Sequence, residues 1–306
     1  MNVRLSECRG ESALSDEYKK LNEEALKSLE DGDFDKAQSL LVSNAKRYPN
    51  GCTLNNLGVF YMNCGIRQKN GKLVSAWKNG FKYLIRAAEA DKNTTVLSNI
   101  GVELFQVGEY EKAYDYFLDA YTARENHLLK YNMGICRYMS GNYAEAADVL
   151  GSLQDRSSFD EVLEALGLLP LFPYCFSLIS LGKKTECKRA LKEYAELYLD
   201  ELCSTDNIYD AFTLLFMCGE YDEASIMMPK IAQYWLLDYP IIAMFAECAE
   251  KAHIGEVEEN ARALISDDLL NSKTVDNIFN NNNVREKYLS KFKYVPTYAT
   301  LNPWCY

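Results

Sequence analysis

Three asparagines recur in one register, in Asn56-Leu57-Gly58, Asn99-Ile100-Gly101 and Asn132-Met133-Gly134. A carboxamide carries a donor and an acceptor together, so it can hold an extended peptide backbone by two hydrogen bonds whatever the bound side chains are. The same position also suits an Asn that bonds a neighbouring helix. Reaction chemistry has less to draw on. His127 and His253 are the two histidines, which leaves little for general base catalysis. No Gly-x-x-x-x-Gly-Lys-Ser/Thr loop, Gly-x-Ser-x-Gly elbow or His-Glu-x-x-His pair occurs. Ten cysteines are scattered without a Cys-x-x-Cys pair. Cys136, Cys175, Cys187, Cys218 and Cys248 fall in helical patterns, where a reduced thiol packs as a small hydrophobe. Acidic pairs such as Glu23-Glu24 and Glu258-Glu259 read as solvated helix faces. The expectation is no catalytic residue, no metal and no cofactor.

The elements that position these residues announce themselves by a recurring turn. Gly32-Asp-Phe34-x-x-Ala37, Gly108-Glu-Tyr110-x-x-Ala113, Gly141-Asn-Tyr143-x-x-Ala146 and Gly219-Glu-Tyr221-x-x-Ala224 share one pattern. Leu41, Phe117, Leu150 and Met228 follow four positions after each Ala, and Ala25, Gly58, Gly101 and Gly134 lie seven positions before a turn glycine. Each unit reads as helix A, Gly turn, helix B. A small residue in helix A admits helix B closely, and the aromatic after the turn covers the joint. Turn glycines at 32, 65, 108, 141, 182 and 219 are separated by 33, 43, 33, 41 and 37 residues, so a unit near 33 carries three insertions. A seventh, degenerate pair turns at Gly255.

This pattern resembles the tetratricopeptide repeat, whose signature places Leu-Gly-x-x-Tyr in helix A and Ala-x-x-x-Phe in helix B. Leu57-Gly58-x-x-Tyr61 is its closest copy of the first half. The resemblance implies an all-α, helical-hairpin solenoid (an α-α superhelix) of about six to seven repeats, whose helices A line a concave groove. Residues 1–17 form an N-terminal segment, residues 18–266 the solenoid with an insertion at 66–77, and residues 267–306 a C-terminal cap or tail. The asparagine register is similar to the ladder by which O-linked N-acetylglucosamine transferases and kinesin light chains clamp unstructured segments. Glu23, Pro173 and Asp210 depart from it, so at most three rungs exist.

By helical phase, Val59, Met62, Val102, Phe105, Tyr131, Ile135, Tyr138 and Phe176 also face the groove, which makes its middle apolar and aromatic; the core is the other destination for such residues. A dicarboxylate clamp for a Glu-Glu-Val-Asp terminus needs Lys and Arg in helix A, whereas the matching positions hold Asn22, Leu26, Asn56, Thr95 and Asn99. The insertion carries Arg67, Lys69 and Lys72, followed by Lys78, on a chain of net charge −11. It could steer an acidic partner or be a solvated loop. Trp77 could anchor a partner or fill the core. The tail alternates aromatic and polar residues and can cap the last helix pair or lie in the protein's own groove through Tyr294, Tyr298, Trp304 and Tyr306.

Acidity disfavours nucleic acid binding by counterion release. No apolar run reaches membrane-spanning length, and no apolar h-region opens the chain, so a cytoplasmic location is expected. The chain reads as a non-catalytic adaptor that binds a partner protein or extended peptide segment in its groove, with oligomeric state open. The alternatives are an inhibitory or immunity-type protein that blocks an enzyme or toxin through a folded interface, or a peptide or small-molecule sensor.

Overall fold

Apolar stripes become helices, and the turn glycines stop them. The computed structural model describes residues 15–67, 73–74, 76–166, 170–195, 204, 207–234, 237–252, 261, 263–265, 271–299, 301 and 303–304. They fall into two compact units, one within Met1–Ser140 and Tyr298–Tyr306, the other within Gly141–Thr297.

The first unit contains α1 (Ser15–Glu30), α2 (Phe34–Arg47), α3 (Gly51–Cys64), α4 (Trp77–Ala90), α5 (Thr94–Gln106), α6 (Tyr110–Ala123) and α7 (His127–Met139). Helices α1 and α2, α3 and α4, and α5 and α6 pack as antiparallel hairpins, and each second helix then meets the first helix of the next pair. The turn glycines at 32, 65, 108, 141, 182 and 219 all have positive φ, between 72° and 83°. At the α5–α6 turn the amide of Gly108 donates to Phe105 O (3.0 Å) and that of Glu109 to Leu104 O (2.9 Å). This paired closure needs a left-handed residue, which glycine supplies without a Cβ penalty.

Close approach inside each hairpin has a sequence cause as well. A Cβ on Gly58 would lie 2.9 Å from Gly80 O, and one on Gly101 would lie 2.8 Å from the Phe117 ring. Phe117 is fully buried, so the aromatic of one helix fills the space that the glycine of the other leaves. Asparagines cap alternate helices from α3 to α7: Asn50 with Thr53 as a reciprocal capping box at α3, Asn93 at α5 and Asn126 at α7.

The insertion between α3 and α4 contains a short antiparallel pair, β1 (Ile66–Arg67) with β2 (Leu73–Val74), Ile66 opposite Val74. Among the described residues the rest of the ordered structure is helical.

The second unit holds α8 (Tyr143–Gly151), α9 (Arg156–Leu166), α10 (Leu171–Ser180), α11 (Lys184–Ala195), α12 (Ile208–Cys218), α13 (Tyr221–Tyr234), α14 (Tyr239–Lys251), α15 (Ser272–Asn280) and α16 (Asn282–Leu289). Helix α8 packs on α10, so α9 is the extra element that widens the spacing between Gly141 and Gly182. Helices α15 and α16 cover α14, with Ile278 and Phe279 buried against a core that includes Ile242 and Phe245. Arg285, 3% exposed, donates to Ile278 O and Phe279 O and pairs with Glu247 and Glu250. A buried guanidinium is tolerated because its donors are met by carbonyls and carboxylates. Residues 267–306, read in the sequence as one terminal segment, are therefore divided: α15, α16 and the chain to Thr297 lie in the second unit and the last residues in the first.

Candidate functional site

Helices α3, α5 and α7 each bring one or two asparagines to the C-terminal segment that begins at Tyr298. Asn132, in the middle of α7, is fully buried and pairs with Ala299 in both directions. Its Nδ2 donates to Ala299 O at 2.8 Å, and Ala299 N donates to its Oδ1 at 2.7 Å. On the next two helices, Asn99 Nδ2 and Asn55 Nδ2 both donate to Pro303 O, each at 2.8 Å. The two donors fill both lone pairs of that carbonyl. Asn99 Nδ2 also donates to Asn55 Oδ1 (2.8 Å), and Asn55 Nδ2 to Asn56 Oδ1 (3.1 Å). A carboxamide network thus runs across α5 and α3 beneath the bound chain.

The contacts at Ala299 and Pro303 are four residues apart. Four residue steps from Ala299 to Pro303 reach about 13 Å, roughly one and a half times the 8–10 Å between packed helices. That carries the chain from α7 to the seam between α5 and α3, against the order of the repeats. Pro303 has no N–H that needs a partner and favours an extended conformation. Ala299 is fully buried, so its place has room for little beyond a methyl group. Tyr298 packs on Phe105 with centroids 5.5 Å apart, and its hydroxyl accepts from Gln106 Nε2 at 2.6 Å. Phe105 is braced from its other neighbour by Tyr110 at 5.2 Å.

Of the residues expected at the groove, Asn99, Asn132 and Phe105 lie against this segment. Asn56 is fully buried and bonds Asn55, one residue before it, which is the residue that reaches Pro303. Adjacent asparagines at 55 and 56 were visible in the sequence, but choosing between them needs the rotation of α3 in the stack. Val59, Tyr131 and Ile135 are buried, and Val102 and Tyr138 half-buried. Met62 sits over Gly80 of α4, where a Cβ would meet its Cγ, inside the hairpin joint. Phe176 belongs to the second unit and stacks on Tyr294 at 3.8 Å with 14° between the rings. Gln106 carried no signal that set it apart.

The basic insertion divides differently. Lys69 and Lys72 lie outside the described residues, as do Tyr306, Gly255 and His253; Arg67 is placed as backbone of β1, and Lys78 is exposed on α4. Trp77 is turned inward: it stacks on Phe81 at 5.3 Å and its Nε1 donates to Glu103 Oε2 at 2.7 Å. Burial pushes the Glu103 carboxyl up, and that hydrogen bond opposes the rise.

The thiols pack among the helices. Cys136, Cys175, Cys187, Cys218 and Cys248 are buried and free; Cys218 Sγ donates to Cys187 Sγ at 3.4 Å. Burial pushes the Cys248 thiol up to about 12. Among the described residues no cluster of three or more His, Cys, Asp or Glu could hold a metal ion, and no helix is long and apolar enough to cross a membrane. In the second unit, Tyr209, Asp210, Asp238, Lys291, Lys293 and Tyr294 border a pocket of ≈ 360 Å³. Burial raises Asp210 to about 7 there.

Neither a family model nor a curated protein sequence matches the chain. Solved structures do resemble it. A tetratricopeptide repeat protein from Parabacteroides merdae aligns over 89% of this chain and 97% of its own, with TM-score 0.54 at 17% identity. A MamA RS-1 double mutant aligns over 62% of this chain and 98% of its own, with TM-score 0.49 at 14% identity.

Proposed function

Because the chain is a tetratricopeptide-repeat solenoid, we propose that it is a non-catalytic interaction module that takes an extended segment of a partner protein along the α3, α5 and α7 faces. The observation that carries this reading is the two-way pairing of Asn132 with the backbone of Ala299. A buried carboxamide spends both its donor and its acceptor on groups that every peptide possesses, so it recognises extended chain as such. Asn99 and Asn55 extend the same chemistry to a second rung. Affinity then comes from the backbone, and selection from the neighbouring sites at Phe105 and at the small place that Ala299 fills. None of the three asparagines ionises, so this mode of binding depends little on pH or salt.

The reading is tested by affinity purification from the native cell with the wild-type chain and with an Asn55→Ala, Asn99→Ala, Asn132→Ala triple variant, followed by mapping of each captured protein on overlapping synthetic peptides. The expected result is a partner lost by the folded triple variant and bound through one short linear segment. Capture of the same proteins by both chains, or binding that requires an intact partner domain, overturns it; the second outcome moves the function to inhibition through a folded interface.

A further inference from the structure

We propose that the segment from Tyr298 to Trp304 is a resident stand-in for the partner, so the groove takes in trans a segment of the same pattern, aromatic–small–x–x–x–Pro, by displacing its own tail. This rests on the reading of α3, α5 and α7 as a peptide-binding face.

Four observations lead here. First, the contacts at both rungs are to tail backbone, at Ala299 N and O and at Pro303 O. A foreign segment can repeat them atom for atom. Second, Asn132 and Asn55 are fully buried, so once the tail leaves, these groups need another backbone or water in its place. Third, the places that do read side chains are few: the Phe105 ring and Gln106 amide that receive Tyr298, and the enclosed site of Ala299. They define an aromatic hydroxyl followed by a small residue; the Pro four positions on enters through its backbone, which has no N–H to satisfy and favours an extended conformation. Fourth, residues 298–304 carry no charged side chain in a chain of net charge −11, so a neutral segment matches what the groove already holds.

Tethering sets the size of the effect. A segment joined to its own binding site competes at an effective concentration of millimolar order, and a ligand that binds only the tail-free state has its affinity reduced by the fraction of that state. Tail occupancy therefore weakens binding in trans by roughly tenfold or more.

The test uses the full chain and a fluorescent synthetic peptide with the sequence of residues 294–306 and Cys305→Ser. Ala299→Trp in the protein removes the tail's fit at its enclosed place and leaves the rungs intact. By fluorescence anisotropy, the Ala299→Trp protein is expected to bind the peptide at least about tenfold more tightly than wild type. Adding Asn132→Ala to that protein abolishes the gain, and a peptide that itself carries Ala299→Trp binds neither. Equal affinity for wild type and Ala299→Trp overturns the stand-in while leaving the groove a peptide site. No binding to a folded Ala299→Trp protein overturns both, and the tail is then a fixed structural piece. A second measurement needs no variant: 15N-labelled wild-type chain is titrated with unlabelled peptide. Movement of the Ala299 amide resonance to an unstructured position is expected, and a resonance unmoved at large excess overturns displacement.

Discussion

Asn132 and Ala299, 167 residues apart in the chain, pair in both directions within the first unit: the carboxamide donates to the Ala299 carbonyl and accepts from its amide. Each group is fully buried, so neither hydrogen bond has water as a ready substitute.

Removing that carboxamide should release the tail before it unfolds the helices. Asn132→Ala forfeits two neutral hydrogen bonds and leaves the Ala299 amide and carbonyl unpaired, a loss of about 1–3 kcal/mol. Limited chymotrypsin digestion after Tyr298, which is half-buried against Phe105, should accelerate accordingly while helical circular dichroism is retained. A cleavage rate equal to wild type would show that Asn132 does not hold the segment.

The α5–α6 joint should resist even a methyl group. A Cβ on Gly101 would stand 2.8 Å from the buried Phe117 ring, and Gly101→Leu should destabilise by about 1–3 kcal/mol through overpacking. Phe117→Leu in the same chain should recover part of that loss, since two residues in contact are not additive. Strict additivity in thermal melts would place the strain elsewhere.

Stability should carry a pH signature from Asp210, which faces Tyr209, Asp238, Lys291, Lys293 and Tyr294 around its pocket. Burial raises its carboxyl from 3.8 to about 7, so between those values the folded chain holds a proton that the unfolded chain has lost. Its stabilising contribution is complete below about pH 4 and declines as pH rises to about 7. At about 1.4 kcal/mol for each pH unit the loss is on the order of 1–4 kcal/mol, toward the lower end for a half-buried group. Asp210→Asn should flatten the decline. Urea titrations at pH 4.5 and 7.5 check this, and an unchanged slope in the variant would refute it.

Trp77→Phe keeps the stack on Phe81 and deletes the bond to Glu103. The carboxyl, already raised by burial, should rise further, and the variant should lose about 1–3 kcal/mol at neutral pH. The deficit should shrink as pH falls and Glu103 protonates. A deficit that stays constant from pH 4 to pH 8 would assign the loss to packing alone.

Much of the helical framework was legible before any coordinates. The turn glycines at 32, 65, 108, 141, 182 and 219 all have positive φ, because a helix stop and a left-handed residue are local events written in neighbouring residues. Gly58 against Gly80 and Gly101 against Phe117 follow from the same short-range geometry, a small residue facing a bulky or close one across one hairpin. Trp77 was ambiguous because a Trp at a helix start can face either way. Its direction was decided by Glu103, which comes from the next hairpin. Helix α9 announced itself only as extra length between two turns.

The sequence by itself determined the hairpins, their turns and the close joints within them, since backbone dihedrals and contacts between successive helices depend on residues a turn or a unit apart. It also placed three carboxamides in one register. Tertiary structure alone decided what they hold. Asn55 and Pro303 are 248 residues apart and Asn99 and Pro303 204 apart. The recognised groups are a backbone N–H, which every residue but proline carries, and carbonyls, which all carry, so no side-chain pattern marks Ala299 or Pro303 as their partners. The shift from Asn56 to Asn55 has the same origin. One residue turns a helix face by about 100°, and the rotation of α3 is fixed by the helices packed on both sides of it.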